Sequence, residues 1–310
     1  TPIGAVSTTY ITKEGEQEFE ALGWFNGEHI TYDIPHGVTV VALKYRETGY
    51  DSSFAGNFKC DDEFLNSLWQ KSLRTLYVTM RDNFMDCPDR ERAQWWADVT
   101  SEMIMTMYSM DSNSYLLYQK GVEAMLSHVD ETKVLQTVVP ISGDYFELPV
   151  QQLAGIVGFI TYYEYTGDVA FIEKVYQPSL DYLKLWEIGD NNLVVHREGS
   201  WDWADWGNKA DMAAIENAWY YYSLSATEEM ARILENDKDM SFITETKETI
   251  AKGYKNLWTE DGFKSGDAKN PDDRANALAV LSGLADKEQY DTIKNVLTTT
   301  QNSSPYMEYY

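Results

Sequence analysis

From Met85 to Asp98 the chain reads Met-Asp-Cys-Pro-Asp-Arg-Glu-Arg-Ala-Gln-Trp-Trp-Ala-Asp. Asp86, Asp89, Glu91 and Asp98 thus fall within thirteen residues, with Arg90 and Arg92 interleaved and Trp95 and Trp96 between. Carboxylates gathered this closely suit general acid and base chemistry. Like charges push one member's pKa up until it keeps a proton near neutrality. On this reading Asp86, Asp89 and Asp98 raise the pKa of Glu91, while Arg90 and Arg92 oppose the shift. Aromatic rings beside carboxylates suit a neutral, polyhydroxylated ligand, whose C–H faces stack while its hydroxyls hydrogen-bond.

The same residues also read as a helix start. Glu91 and Asp98 are seven apart, two helical turns, so a helix from about residue 90 puts both on one face, with Asp86 on the loop just ahead. Asp86 then serves as N-cap, Pro88 as a first-turn residue and Asp89 as the acidic partner of a capping box. Acidic side chains in a first turn also complement the helix dipole. Capping does not account for Trp95, Trp96 and Asp98 on the turns that follow. The residues alone leave capping and catalysis both open, and the two are compatible.

The elements that position this stretch follow from periodicity. Residues 62–80 carry Phe64, Leu65, Leu68, Leu73 and Leu76 on an i, i+3/i+4 rhythm. Further helices are expected near 90–110, 113–129, 147–166, 168–186, 208–235, 239–258, 271–284 and 287–299, with breaks or caps at Gly167-Asp168, Gly189-Asp190 and Pro271-Asp272-Asp273. The first sixty residues differ: 8–12, 29–34 and 38–43 are β-branched and aromatic, punctuated by Gly27, Pro35 and Gly37, which predicts antiparallel strands. The chain divides into a β segment over 1–60 and a helical domain over 61–310. No repeat period suggests a solenoid, so a closed toroid of helical hairpins is favoured. The loops 81–90 and 196–208 concentrate functional side chains, the second reading His-Arg-Glu-Gly-Ser-Trp-Asp-Trp-Ala-Asp-Trp-Gly-Asn.

Composition narrows the function. Against 25 Lys and Arg stand 50 Asp and Glu, a formal charge of −25, which repels phosphate backbones and anionic membranes. Nucleic acid is therefore not an expected partner. No apolar run approaches the roughly 20 residues that span a bilayer, so membrane insertion is not expected either. A hydrophobic share of 44% excludes a disordered chain. With 19 Gly and 8 Pro the chain is below the roughly 12% usual for the pair, which favours helices over a turn-rich β fold. Its 10 Trp, 22 Tyr and 11 Phe read first as core and second as ring surfaces for a ligand. Cys60 and Cys87 can pair or stay free. His29, His36, His128 and His196 lack ligand spacing, so neither a zinc site nor any cofactor is expected.

The run Asp86-Cys87-Pro88-x-Arg90-Glu91-Arg92, followed by Trp95 and Asp98, resembles the acidic motif of family 78 of the glycoside hydrolases, the α-L-rhamnosidases. The stretch Gly49-Tyr50 to Phe58-Lys59-Cys60-Asp61-Asp62 is similar to the lead-in to that family's catalytic barrel. Trp201-Asp202-Trp203-Ala204-Asp205-Trp206 is similar to its Gly-Asp-Trp-Leu-Asp loop. The three motifs occur in the family's order and cover most of the chain. The resemblance implies an (α/α)6 toroid behind a β-sandwich segment, and an exo-glycosidase that removes terminal α-L-rhamnose with inversion and without a metal. It assigns Glu91 as general acid, Asp86 and Asp98 as the carboxylates that hold rhamnose hydroxyls, Arg90 as the adjacent guanidinium, Trp95 as an aromatic pocket wall, and Trp203 as the aromatic of the later loop.

Departures from the family pattern are equally specific. Arg90-Glu91-Arg92 lacks the residue that many members insert before Glu, and Gln94 stands where Gly is common before Trp. The middle loop reads Ser142-Gly143-Asp144-Tyr145-Phe146-Glu147-Leu148-Pro149 in place of a Trp-x-Asp element, so Tyr145 and Glu147 are the expected substitutes. Inversion needs a second carboxylate roughly 6.5–9.5 Å from the acid. The family carries it well downstream, and Glu308 does not match it, so the toroid is expected to be incomplete at the C-terminus with the base beyond Tyr310. Two other functions fit the residues: an exo-glycosidase for another sugar on a similar toroid, and a non-catalytic carbohydrate-binding protein. Resemblance alone suggests a periplasmic or secreted location. Oligomeric state is not legible in the residues.

Overall fold

A computed structural model describes residues 7–27, 29–140, 146–207 and 210–310. Nine α-helices are formed among the described residues: α1 (Glu63–Val78), α2 (Trp96–Ser109), α3 (Asn113–Leu126), α4 (Pro149–Thr166), α5 (Val169–Leu183), α6 (Met212–Ile233), α7 (Met240–Tyr254), α8 (Asp273–Leu281) and α9 (Tyr290–Thr299). Each lies inside a segment where the hydrophobic rhythm predicts one. Two strands, β1 (Trp258–Thr259) and β2 (Gly262–Phe263), make a short antiparallel hairpin with Trp258 opposite Phe263. That hairpin interrupts the expected helix over 239–258, and the Asp261-Gly262 pair, with Gly262 at φ 130°, is its sequence signal.

Chain order sorts the helices into two layers. The even-numbered helices α2, α4, α6 and α8 each pack on the next, forming an inner arc, while α1, α3, α5, α7 and α9 pack outside them. The inner helix α4 is the most deeply buried, its buried residues running without a break from Pro149 to Ile160, and α8 buries Asp273, Arg274 and Asn276 beside its apolar residues. Outer helices keep one apolar stripe, and α9 buries only Ile293 and Val296.

Close approach of α2 and α4 depends on a missing side chain. A Cβ on Gly155 would meet Trp96 Cδ1 at 2.0 Å, and Trp96 is itself fully buried. Termini follow the sequence signals. Gly167 ends α4 at φ 68°, and Asp168 opens α5 by accepting the Phe171 amide at 3.0 Å. Asp272 likewise caps α8 through the Arg274 amide at 3.0 Å.

The first sixty residues depart from expectation. The stretches 8–12, 29–34 and 38–43 form no strand pairing among the described residues, and Ile11 and Val41 are each 83% exposed. β-Branched composition favours extended backbone, but a strand also needs a hydrogen-bonded neighbour. No helix among the described residues is long and apolar enough to cross a membrane. Both cysteines are free.

Candidate active site

The helix expected from about residue 90 begins only at Trp96. Arg92 sits at φ 53°, in the left-handed region, and Trp95 is extended at φ −72°, ψ 125°, which together break helical continuity. Trp95 bridges to Val138, and the Trp96 amide donates to the Thr137 carbonyl at 3.0 Å. Neither Asp86 nor Asp89 therefore caps the helix. The N-cap position is Trp95, which makes no side-chain cap bond, and the first-turn amide of Ala97 is satisfied by Gln151 Oε1 of α4 at 2.8 Å. Glu91 and Asp98 consequently do not share a helix face.

The acidic stretch is a closed loop instead. Asp86 and Ala93 clasp it twice, the Asp86 amide donating to the Ala93 carbonyl at 3.0 Å and the Ala93 amide to Asp86 Oδ1 at 3.1 Å. This turns Asp86 and Glu91 toward each other. Ligand atoms of Asp86, Cys87 and Glu91 all lie within 4.8 Å of one another, and these are the side chains that could hold a cation here. The Cys87 thiol donates to Glu91 Oε2 at 3.0 Å, and Arg90 grips Glu91 Oε1 with its Nε at 2.6 Å and with Nη2.

Electrostatics reverse one expectation. The hydrogen bonds from Arg90 outweigh partial burial and, with Cys87 adding, lower Glu91 to about 2 rather than raising it. Carboxylates around it move the other way. Burial lifts Asp98 to about 7, with the charge of Asp86 next in effect. Burial also raises Asp86, and lifts Glu102 well above the carboxylate range. The stretch does hold raised carboxyls, Asp86 and Asp98, but the expected rise of Glu91 is reversed because hydrogen bonds, that from Arg90 foremost, lower it more than burial raises it.

Asp86 and Asp98 line one cavity of about 230 Å³, together with Ser101, Glu102 and Met105 of α2 and with Pro305, Tyr306 and Tyr309. Glu102, Tyr306 and Tyr309 were not singled out by sequence. The signal for Glu102 was its position four residues after Asp98 on the same helix face. The C-terminal segment is carried across the cavity by Asp205, whose Oδ2 accepts the amides of Ser304 at 2.7 Å and Met307 at 3.0 Å. Trp203 is buried behind this wall, its ring 5.0 Å from that of Tyr306. Trp95 instead meets Phe146 and the half-exposed Trp201, at 5.6 and 6.4 Å between ring centroids.

Loop 196–207 is anchored by buried charge. Glu147, 1% exposed, accepts from Arg197 Nε and from the Tyr182 hydroxyl, both at 2.7 Å, so it is held within the scaffold rather than offered to a ligand. Ser142, Gly143, Asp144 and Tyr145, the rest of that middle loop, lie outside the described residues. His196 Nδ1 stands 3.0 Å from Glu216 of α6, and its Nε2 stands 3.1 Å from Asp202. Burial raises Glu216 to about 7, which His196 partly offsets. Behind the loop, Arg274 and Asp272 form a buried two-pronged pair at 2.9 and 2.7 Å, and Arg274 also reaches the Ala204 carbonyl at 3.5 Å.

An arc of helical hairpins that gathers carboxylates and aromatic rings at one cavity places the chain in the class of helical-hairpin domains. Within that class, the model for the bacterial alpha-L-rhamnosidase six-hairpin glycosidase domain matches residues 53–307, and the chain belongs to this family. Comparison with the curated proteins finds no match. Among solved structures, the chain is similar to a GH78 family rhamnosidase of Bacillus sp. GL1, at 21% identity and a TM-score of 0.75 over 84% of this chain and 29% of that one. A rhamnosidase from Klebsiella oxytoca with rhamnose bound is similar at 17% identity and a TM-score of 0.72, over 81% of this chain and 51% of that one. An alpha-L-rhamnosidase of Streptomyces avermitilis complexed with L-rhamnose follows at 18% and 0.67, over 80% and 24%. At these identities the likeness carries the fold, the α/α toroid. The chain spans about half or less of the length of each of these three relatives.

Proposed function

We propose that the intact protein is an exo-glycosidase that removes terminal α-L-rhamnose from a glycan or glycoside, with inversion at the anomeric carbon. The observation that supports this reading is a cavity lined by Asp86 and Asp98, with Glu91 beside Asp86 on the clasped loop, in a chain of the alpha-L-rhamnosidase family. Glu91 is the general acid. Asp86 and Asp98 take the sugar hydroxyls, Trp95 forms an apolar wall, and Trp203 braces Tyr306. Arg90 is exposed, so its grip on Glu91 is of the kind a substrate can displace. Once the guanidinium turns to the ligand, the bond that lowers Glu91 most is lost, and burial by the sugar raises it toward protonation. A second carboxylate activates the water on the opposite face of the ring.

Asp98 offers a second reading for the acid. Its carboxyl lines the cavity and is lifted to about 7, so a large share keeps its proton near neutrality, as a proton donor requires. Proton NMR on the first product of an α-L-rhamnoside tests the reaction. Initial β-L-rhamnose supports the proposal; initial α-L-rhamnose, or no release by the intact protein, contradicts it.

A further inference from the structure

The indole of Trp24 lies between two guanidinium groups. Arg81 stands 4.2 Å and Arg92 3.7 Å from its ring centroid. These arginines mark the two ends of the loop that carries Asp86, Cys87 and Glu91. Arg81 is held further by Thr48, donating to its carbonyl at 3.0 Å and its hydroxyl at 2.7 Å. Arg92 donates to Pro88 O at 3.0 Å and to Asn26 Oδ1 at 3.2 Å. Residues of the N-terminal segment thus close the acidic loop from outside the helical domain.

Two features make this more than surface packing. Arg92 has a left-handed φ of 53°, a conformation that costs a non-glycine residue and persists only where contacts hold it. It directly follows Glu91, so the direction its side chain takes decides which guanidinium the carboxylate meets. Stacked on Trp24, Arg92 is turned away, and Glu91 pairs with the exposed Arg90 alone. Without the indole, two like charges would face each other across its place, and Arg92 would be free to swing toward Asp86 and Glu91.

We infer that Trp24 is a positioning residue for the acidic loop: it joins Arg81 to Arg92 and so keeps a second guanidinium away from Glu91. The role of the clamp in catalysis rests on Glu91 being the acid; the clamp itself rests on geometry alone. The contribution comes from the segment ahead of residue 53, where the matched family domain begins.

The test uses the intact protein with W24A, W24F and E91Q. Hydrogen exchange reads the clamp directly: in W24A the amides of 86–92 exchange about tenfold faster or more, while those of α4 do not change. Kinetics read its role. W24A lowers kcat about tenfold on an α-L-rhamnoside with a poor leaving group and less than about threefold on a dinitrophenyl rhamnoside, which needs no protonation; W24F, which keeps an aromatic face, restores most of the loss. Unchanged exchange in 86–92 overturns the clamp. Equal kcat losses on the two substrates overturn the positioning role and leave a structural one. Full activity of E91Q on the poor leaving group overturns the acid assignment instead, and the exchange measurement still decides the clamp.

Discussion

Arg90 Nε donates to Glu91 Oε1 at 2.6 Å, so the carboxyl that the motif marks as proton donor is held ionised by the residue before it. The pair is open to solvent on the arginine side, which makes it reversible. Replacing Arg90 by Gln is expected to let the Glu91 titration climb from about 2 toward the ordinary carboxylate range. The sign for stability follows. A depressed carboxylate stabilises the fold above its unfolded pKa of about 4.3 and loses that contribution as pH falls toward the folded value. The stability difference between wild type and R90Q should therefore shrink on acidification through that window. Carbon-13 NMR of the Glu carboxyls checks the titration, and an unmoved Glu91 midpoint contradicts it.

Asp98 predicts the opposite slope. Its folded pKa of about 7 lies above an unfolded value of about 3.9, so between these limits the folded state binds the extra proton. Its contribution is full below the lower value, declines as pH rises through the window, and levels above about 7. Asp98→Asn keeps the shape without the charge. Thermal melts from pH 4 to 8 should fall less steeply for D98N than for wild type, and the comparison cancels the parallel slope of Glu216.

The pair of Arg274 and Asp272 is buried, with both residues at most 2% exposed. Removing one partner leaves an uncompensated buried charge, a loss of about 3–5 kcal/mol. Arg274→Ala should cost that much by urea denaturation, and by loosening Ala204 it should also disturb the loop that carries Trp203. A loss below about 1 kcal/mol would mean that the pair is hydrated and not part of the scaffold.

Gly155→Ala probes the inner arc. The added methyl would stand 2.0 Å from the ring of the fully buried Trp96, which has no room to retreat. Overpacking of this kind costs about 1–3 kcal/mol, and denaturant unfolding should show a midpoint shift without a change in slope.

Particular residues show how far the sequence could be read. Leu73 and Leu76 of α1, the Gly167-Asp168 junction and the Asp272 cap were legible because helix rhythm and capping are local. The start of α2 was not, since the bonds that replace its cap come from Gln151 and Thr137, far away in sequence. Spacing paired Asp98 with Glu91 on one helix face; the cavity instead joins Asp98 to Asp86, which a clasped loop brings there. The direction of the Glu91 shift turned on whether Arg90 makes contact, a matter of side-chain geometry. Tyr306 and Tyr309 were invisible as cavity walls because Asp205, a hundred residues earlier, places them.

The central claim, that Glu91 donates the proton from the loop it shares with Asp86, is tested most directly by leaving-group dependence in the intact protein. Glu91→Gln should lower kcat/KM by about 10²–10⁴ on a rhamnoside whose leaving group needs protonation, and far less on an activated aryl rhamnoside, with rhamnose binding retained. If E91Q cleaves the poor leaving group at the wild-type rate while Asp98→Asn does not, the proton comes from Asp98 and the account of Glu91 is wrong.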